Sequence, residues 1–228
     1  MIRPRHDSLL LTLLLIGAGV MLLVLAWPLF ANEIFLEHDV GAVFVPLRWF
    51  YAQCLASGDS FLWLPNIYMG VYLQGEGQTG MTHPLHWALY KFLPFTSAFD
   101  LELLLSYPAL FAGTVLWLRR WKLPNAAVLF GALLFTFSGY PIISWLWLVH
   151  VEVLAHTPWL LWCIDMAMRD RSPRKVTGAL FGVTVLTASA ILAGYPQMVY
   201  VSGLAEGMYA LFLWRLGSAG ASPSPLRG

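Results

Sequence analysis

The run Leu9-Leu10-Leu11-Thr12-Leu13-Leu14-Leu15-Ile16-Gly17-Ala18-Gly19-Val20-Met21-Leu22-Leu23-Val24-Leu25-Ala26-Trp27-Pro28-Leu29-Phe30, followed by Asn32-Glu33-Ile34-Phe35-Leu36-Glu37-His38-Asp39, decides the reading of this chain. Roughly 22 apolar residues give about 33 Å of helix, enough to cross a bilayer and longer than the apolar core of a cleaved signal peptide. Arg3 and Arg5 precede the run, so its start belongs on the cytoplasmic side and its acidic exit outside. Three carboxylates and an imidazole therefore gather where a membrane helix leaves the lipid.

Composition agrees. Hydrophobic residues make up 59% of the 228 and charged residues 11%, with a mean hydropathy of +0.68. That leaves too little polar surface to coat a soluble globule. The net charge of +1 offers no basic face for nucleic acid, since Lys and Arg fall in short clusters between apolar runs. Cys54 and Cys163 are assigned to opposite sides, so no disulfide is expected between them, and they have no metal-type spacing.

Working outward, an all-α polytopic fold is predicted, with about six spans at 9–30, 101–118, 125–144, 154–168, 176–193 and 197–214. Residues 31–100 form a large external loop, long enough to carry short elements of its own and a function. Within it, residues 43–51 around Pro46 read as an amphipathic helix lying in the interface. Thr157-Pro158-Trp159 reads as the opening of the fourth span, and the two Gly-Tyr-Pro sequences, at 139–141 and 194–196, as outer breaks that hint at a repeat. Residues 217–228, rich in Gly, Ser, Ala and Pro, read as a disordered tail or the ragged end of a truncated reading frame.

With both termini cytoplasmic, all of the thirteen Lys and Arg except Arg48 and Lys91 lie inside. The histidines His38, His83, His86, His150 and His156 fall at the outer face, as do Glu33, Glu37, Asp39, Asp59, Glu76 and Glu152. The groups able to do chemistry are thus expected on one side of the membrane.

Several motifs taken in order look like a known family. Glu37-His38-Asp39, Gly75-Glu76-Gly77-Gln78-Thr79-Gly80 leading to His83-Pro84, Pro158-Trp159-Leu160 and Gly194-Tyr195-Pro196-Gln197 resemble the N-terminal region of bacterial YfhO-like membrane proteins. That family is similar to the GT-C glycosyltransferases, which take a sugar from a polyprenyl-phosphate carrier at the outer face of the plasma membrane. The resemblance spans nearly the whole chain but only part of the family's usual length, which implies an N-terminal portion. It also implies a catalytic carboxylate just after the first span, and Asp39 is the matching position.

In that chemistry one carboxylate orients or deprotonates the acceptor hydroxyl while lipid phosphate leaves. Arg48 and Lys91, against the positive-inside bias, are candidates to hold the phosphate; snorkelling toward headgroups accounts for them equally. Glu37, His38, Gln78, His83, Glu152, His156 and Gln197 are candidate substrate contacts, with Asp39, His83, Glu152 and Gln197 expected to converge on one external cleft. His83 with His86, and His150 with Glu152 and His156, are candidates to form with Asp39 a site for a divalent cation, Mn²⁺, Mg²⁺ or Zn²⁺, with Asp39, His83 and His86 and Mg²⁺ or Mn²⁺ foremost, although no strict metal spacing is present and interfacial hydrogen bonding accounts for the histidines without one. The competing class is a transporter or lipid flippase-like protein with Glu206, a carboxylate within the sixth span, in its path; Gly203 and Gly207 beside it also fit a helix-packing role. An inactive fragment is the third reading. Asp165, four residues before Arg169, reads as a local ion pair.

Overall fold

Residues 4–34, 36 and 38–220 are described by a computed structural model. The chain is all-α apart from one short ladder. It opens with α1 (Pro4–Leu25) and, past a turn at Ala26, α2 (Trp27–Ala31). A π-helical turn at Val40–Phe44 runs into α3 (Val45–Ser57). Two-residue strands β1 (Trp63–Leu64) and β2 (Val71–Tyr72) pair antiparallel, Trp63 opposite Tyr72, before the short α4 (Leu73–Glu76) and α5 (Pro84–Phe92). Then come α6 (Phe95–Leu104), α7 (Ser106–Arg119), α8 (Asn125–Thr136) and α9 (Gly139–Ile143), the last leading into a 3-10 turn at Ser144–Leu146. The long helices α10 (Leu148–Arg169), α11 (Pro173–Ala193) and α12 (Pro196–Gly220) complete the described chain.

Among the described residues three helical segments, against the about six spans expected, are long and apolar enough to cross a membrane, Phe95–Arg119, Asn125–Leu146 and Pro173–Ala193, and Leu9–Leu25 is a shorter apolar helix. The first merges α6 and α7, so this helical segment begins at Phe95, ahead of the expected start at residue 101. Large apolar side chains stand outward along α1, α11 and α12, among them Leu23, Val24, Phe181, Tyr200, Met208 and Trp214. A continuous apolar exterior of this kind suits lipid better than water.

The helix around which the others pack is α10, which touches α7, α11 and α12 along its length. It begins at Leu148, and Thr157-Pro158-Trp159 lies in its middle instead of opening it. A proline at the first helical turn and one inside a helix look alike in sequence; packing on both sides of α10 retains the helix despite the lost backbone N–H. The consequence is large for function. His150, Glu152 and His156 sit on the helix itself, with Glu152 buried, and not in a loop before it.

The 31–100 segment is structured, as expected, and has its own core. Tyr51, Leu55, Leu73, Met81, Leu89 and Tyr90 pack with Ala98, Phe99 and Leu103 of α6 and with Leu148 and Val149 of α10. Edge-to-face contacts of Tyr51 with Phe61 (4.9 Å) and of Trp49 with Phe95 (5.0 Å) add to it. The helix expected at 43–51 is present as α3 with Pro46 in its first turn, but the face it buries packs against the protein's own core instead of lying free for an interface. Its buried stripe carries Arg48, Tyr51, Cys54 and Leu55, while Trp49 is exposed. The tail also differs: residues 217–220 continue α12, and 221–228 lie outside the described residues.

The two Gly-Tyr-Pro sequences are not structurally equivalent. Gly139-Tyr140-Pro141 starts α9, whereas Gly194 (φ 101°) and Tyr195 (φ 58°) are left-handed and form the turn between α11 and α12. That turn docks on the glycine-rich segment: Tyr195 N donates to Gly77 O at 3.1 Å. Gly80 (φ 57°) lies so close that an added Cβ would sit 3.2 Å from the Ala193 carbonyl carbon, 3.1 Å from His86 Cε1 and nearer still to Ala193 O. Gly80→Ala, strained in backbone and space, is therefore expected to cost about 1–3 kcal/mol. A lowered thermal midpoint in detergent with faster proteolysis within residues 75–83 would register it; an unchanged midpoint would contradict this close packing.

Candidate functional site

Two polar constellations sit side by side at the junction of the 31–100 segment with α10 and α11. One is an open cleft and the other a buried cluster.

The cleft, about 470 Å³, is lined by Asp39, Val43, Phe44, Gln78, Trp147, Val149, His150, Tyr195 and Gln197. Asp39 immediately precedes the π-helical turn, His38 before it is left-handed (φ 51°), and together they set the carboxylate at the cleft wall. Such π-turns recur at functional sites because the extra residue re-aims a side chain. Trp147 Nε1 donates to Asp39 Oδ2 at 2.9 Å. His150 lies against Trp147 (ring centroids 5.3 Å) and Tyr195 (3.9 Å), giving an aromatic floor beside the carboxylate. Gln78 and Gln197 reach the same space from the glycine-rich segment and from the first turn of α12. One carboxylate, two amides and a row of aromatic faces make a surface suited to a polyhydroxylated ring, whose hydroxyls need donors and acceptors and whose C–H faces need flat apolar partners.

The buried cluster begins with Arg48, wholly buried. Its Nε donates to both Glu102 carboxylate oxygens at 3.0 Å, Nη2 donates to Glu102 Oε1, and Nη1 to the Thr79 carbonyl. Tyr90 Oη donates to Glu102 Oε2 at 2.6 Å. Burial opposes the charge on Arg48, but Glu102 and Tyr90 more than reverse that and hold the guanidinium above its ordinary value.

His86, also wholly buried, follows. Nδ1 donates to the Gly80 carbonyl at 2.7 Å, while Nε2 lies 2.5 Å from Glu152 Oε1 and 3.6 Å from Glu102 Oε1. Burial works against an imidazolium here, yet Glu102 and Glu152 outweigh it and raise the His86 pKa. With that proton in place, Arg48 and His86 balance Glu102 and Glu152, and the four buried charges sum to zero.

His83 ends the series. It caps α5 in extended backbone ahead of Pro84 at the first helical position, and His86 stands one turn on, so the two rings share a face with centroids 4.8 Å apart. His83 Nε2 meets Ser189 Oγ of α11 at 2.8 Å, and Ser189 Oγ meets His156 Nε2 at 2.9 Å. Burial first, then the neighbouring His86, push the His83 imidazole down to about 4, which leaves it neutral at pH 7.

The expected site residues thus divide. Asp39, Gln78 and Gln197 share the cleft, whereas His83, His86, Glu152 and His156 form the adjoining buried cluster, so the four-residue convergence expected around one cleft is only half realised. Asp39 is not part of the ligand-like group His83, His86 and Glu152. Arg48, expected as an external phosphate-holding or snorkelling cation, is instead buried with its donors engaged by Glu102. Lys91 is exposed and donates to the Leu55 carbonyl near the end of α3 at 2.5 Å. His38 is exposed, and Glu37 lies outside the described residues. Asp165 accepts from Arg169 at 3.0 Å as expected, and also from Arg120 (2.5 Å) and Tyr209 (2.9 Å).

Sequence reading passed over Glu102, Tyr90, Trp147, Tyr195 and Ser189. Glu102 did carry a signal, being a carboxylate inside an apolar run where charge is costly. The others are ordinary residues whose roles arise from partners distant in the chain.

Comparison of the chain with protein-family models, with curated proteins and with solved structures gives no match.

Proposed function

We propose that this chain, or a longer protein of which it is the N-terminal part, is a GT-C type membrane glycosyltransferase that moves a sugar from a polyprenyl-phosphate carrier to an acceptor at the outer face of a bacterial plasma membrane. The observation that carries the reading is the cleft in which Asp39, Gln78 and Gln197, drawn from three separate motifs, meet beside Trp147, His150 and Tyr195. In this reading α1, α6–α7, α8–α9, α10, α11 and α12 are the six spans, both termini are cytoplasmic, and the cleft faces out.

Trp147 Nε1 occupies Asp39 Oδ2, leaving Oδ1 to accept the proton of an acceptor hydroxyl as it attacks the anomeric carbon. The lipid phosphate departs with the bonding pair. In this reading Lys91, exposed but outside the cleft lining and donating to the Leu55 carbonyl, would have to leave that contact to balance the charge. The test is transfer from a lipid-linked sugar donor by purified protein in lipid, comparing wild type with Asp39→Asn; undiminished transfer in the variant removes the mechanism. Trp147→Phe keeps the aromatic face but deletes the hydrogen bond to the carboxylate. A loss of about 1.5 kcal/mol, or roughly tenfold in kcat/KM, is expected from it, and unchanged kinetics would remove Trp147 from the site.

The transporter reading keeps one specific observation. Glu206 on α12 is half-buried, and its Oε1 is a buried acceptor with no hydrogen-bond partner among the described residues. If Glu206→Gln is the damaging change and Asp39→Asn is silent, that reading replaces the first.

A further inference from the structure

The hydrogen bonds around His83, His86 and Glu152 determine where their protons lie, and the result is a set of lone pairs aimed at one point. The chain of donors starts at a backbone carbonyl. His156 Nδ1 lies 2.9 Å from Glu152 O, and a carbonyl only accepts, so Nδ1 carries the proton. Its Nε2 is then the acceptor, and Ser189 Oγ at 2.9 Å must donate to it. With its one proton committed, Ser189 Oγ accepts from His83 Nε2 at 2.8 Å. With Nε2 committed to Ser189, Nδ1 is the His83 ring nitrogen turned toward Glu152.

That atom is buried with no hydrogen-bond partner among the described residues, and it lies 3.9 Å from Glu152 Oε1. A lone pair facing a carboxylate in a buried setting is repulsive unless something positive lies between them. On the other side, the Gly80 carbonyl fixes the proton of His86 on Nδ1 and turns Nε2 to the same carboxylate. Glu152 Oε2 is a second buried atom with no partner among the described residues. One proton on His86 Nε2 satisfies a single contact and leaves His83 Nδ1 and Glu152 Oε2 as they are.

We propose that His83 Nδ1, His86 Nε2 and a Glu152 carboxylate oxygen form a binding site for a divalent transition-metal ion of the Zn²⁺ class. Potential ligand atoms from these three residues lie within 4.8 Å of one another. A tetrahedral ion with bonds of about 2.0–2.1 Å holds its ligand atoms roughly 3.4 Å apart, so small side-chain rotations bring them into place. Two imidazoles with one carboxylate are a zinc-type donor set and a poor one for Mg²⁺, which demands oxygen. Each ring nitrogen turned away from the ion already has an outer partner that fixes its tautomer: Ser189 for His83 and Gly80 O for His86. Binding displaces the proton shared by His86 and Glu152, replacing one buried positive charge with two.

All three side chains are more than nine-tenths buried, and the cleft is lined by the neighbouring Val149 and His150 instead. The ion is therefore structural, tying the start of α5 to α10, whatever the chemistry in the cleft. Of the wider set expected from sequence it uses His83, His86 and Glu152 and leaves out Asp39.

The experiment uses full-length protein purified in detergent through a tag that binds no metal. Elemental analysis should find about one zinc per chain. Co²⁺ exchanged into the site should give the visible absorption bands of a tetrahedral nitrogen and oxygen environment, and chelation should lower the thermal midpoint, with Zn²⁺ restoring it. Glu152→Gln and His83→Asn should each reduce bound metal at least tenfold, while Asp39→Asn retains it. The proposal is overturned if wild-type protein holds less than about a tenth of an equivalent and takes up no Co²⁺. It is equally overturned if Asp39→Asn loses the metal while Glu152→Gln keeps it. Because the wild-type measurement decides by itself, a variant that fails to fold does not rescue it.

Discussion

Arg48→Met is expected to destabilise the protein by about 3–5 kcal/mol, the usual cost of removing one partner from a buried ion pair. In the native chain Arg48 and Glu102 are both essentially excluded from solvent, and the guanidinium also holds the Thr79 carbonyl in the segment leading to Gly80. Methionine fills most of the space but leaves Glu102 facing Glu152 with only His86 between them. The cluster then carries a net negative charge in a site shut off from bulk solvent. The thermal midpoint in detergent should fall well below wild type, with the 31–100 segment becoming the first to be cleaved by protease.

The double replacement Arg48→Met with Glu102→Gln separates charge from packing. It restores neutrality and should recover a substantial part of the loss, giving a coupling energy beyond about 1 kcal/mol in a double-mutant cycle. If the double variant is as unstable as the sum of the two single ones, the pair is not held as described. Membrane attachment through headgroups, the other account of an external arginine, predicts a small effect for Arg48→Met and none of this coupling.

Asp39→Asn has the second large effect, and on activity instead of stability. Asn keeps an oxygen to accept from Trp147 Nε1, and the position is exposed, so the folded state should change by no more than about 0.5 kcal/mol. What is lost is the basicity of Oδ1. A positioned general base contributes about 10²–10⁴-fold, and transfer from a lipid-linked sugar should fall by that factor with little change in donor affinity. Equal loss in Asp39→Asn and in a variant of the buried cluster would say that only folding was being measured. For that reason the thermal midpoint of each variant belongs beside its rate.

How much of this was legible in advance can be followed residue by residue. Apolar runs predicted helices because their composition and length are local properties, and α1, α8, α11 and α12 lie where the runs do. Even the left-handed turn at Gly194 and the initiating role of Pro84 have local signatures. The start of α10 does not. Pro158 obeys the grammar of a helix opening, and only the packing of α7, α11 and α12 around it shows that the helix continues through.

The site follows the same division. That Asp39, several histidines and Glu152 would gather near the 31–100 segment was expected from charge placement along the chain. Which of them touch did not, because each decisive contact joins distant parts of the chain. Arg48 reaches Glu102 across 54 residues, His86 reaches Glu152 across 66, His83 reaches Ser189 across 106, and Asp39 meets Trp147 across 108.

By itself, then, the sequence determined the all-α class, the long apolar helices and the places where most helices form, since hydropathy and backbone freedom act over a few neighbours. Only the tertiary structure decided that Arg48 is an internal counter-ion, that Glu152 faces His83 and His86, and that Asp39 shares a cleft with Gln78 and Gln197. A charge has no fixed partner along a chain. Its partner is whatever the packing of distant helices brings within about 3 Å, where burial makes pairing obligatory.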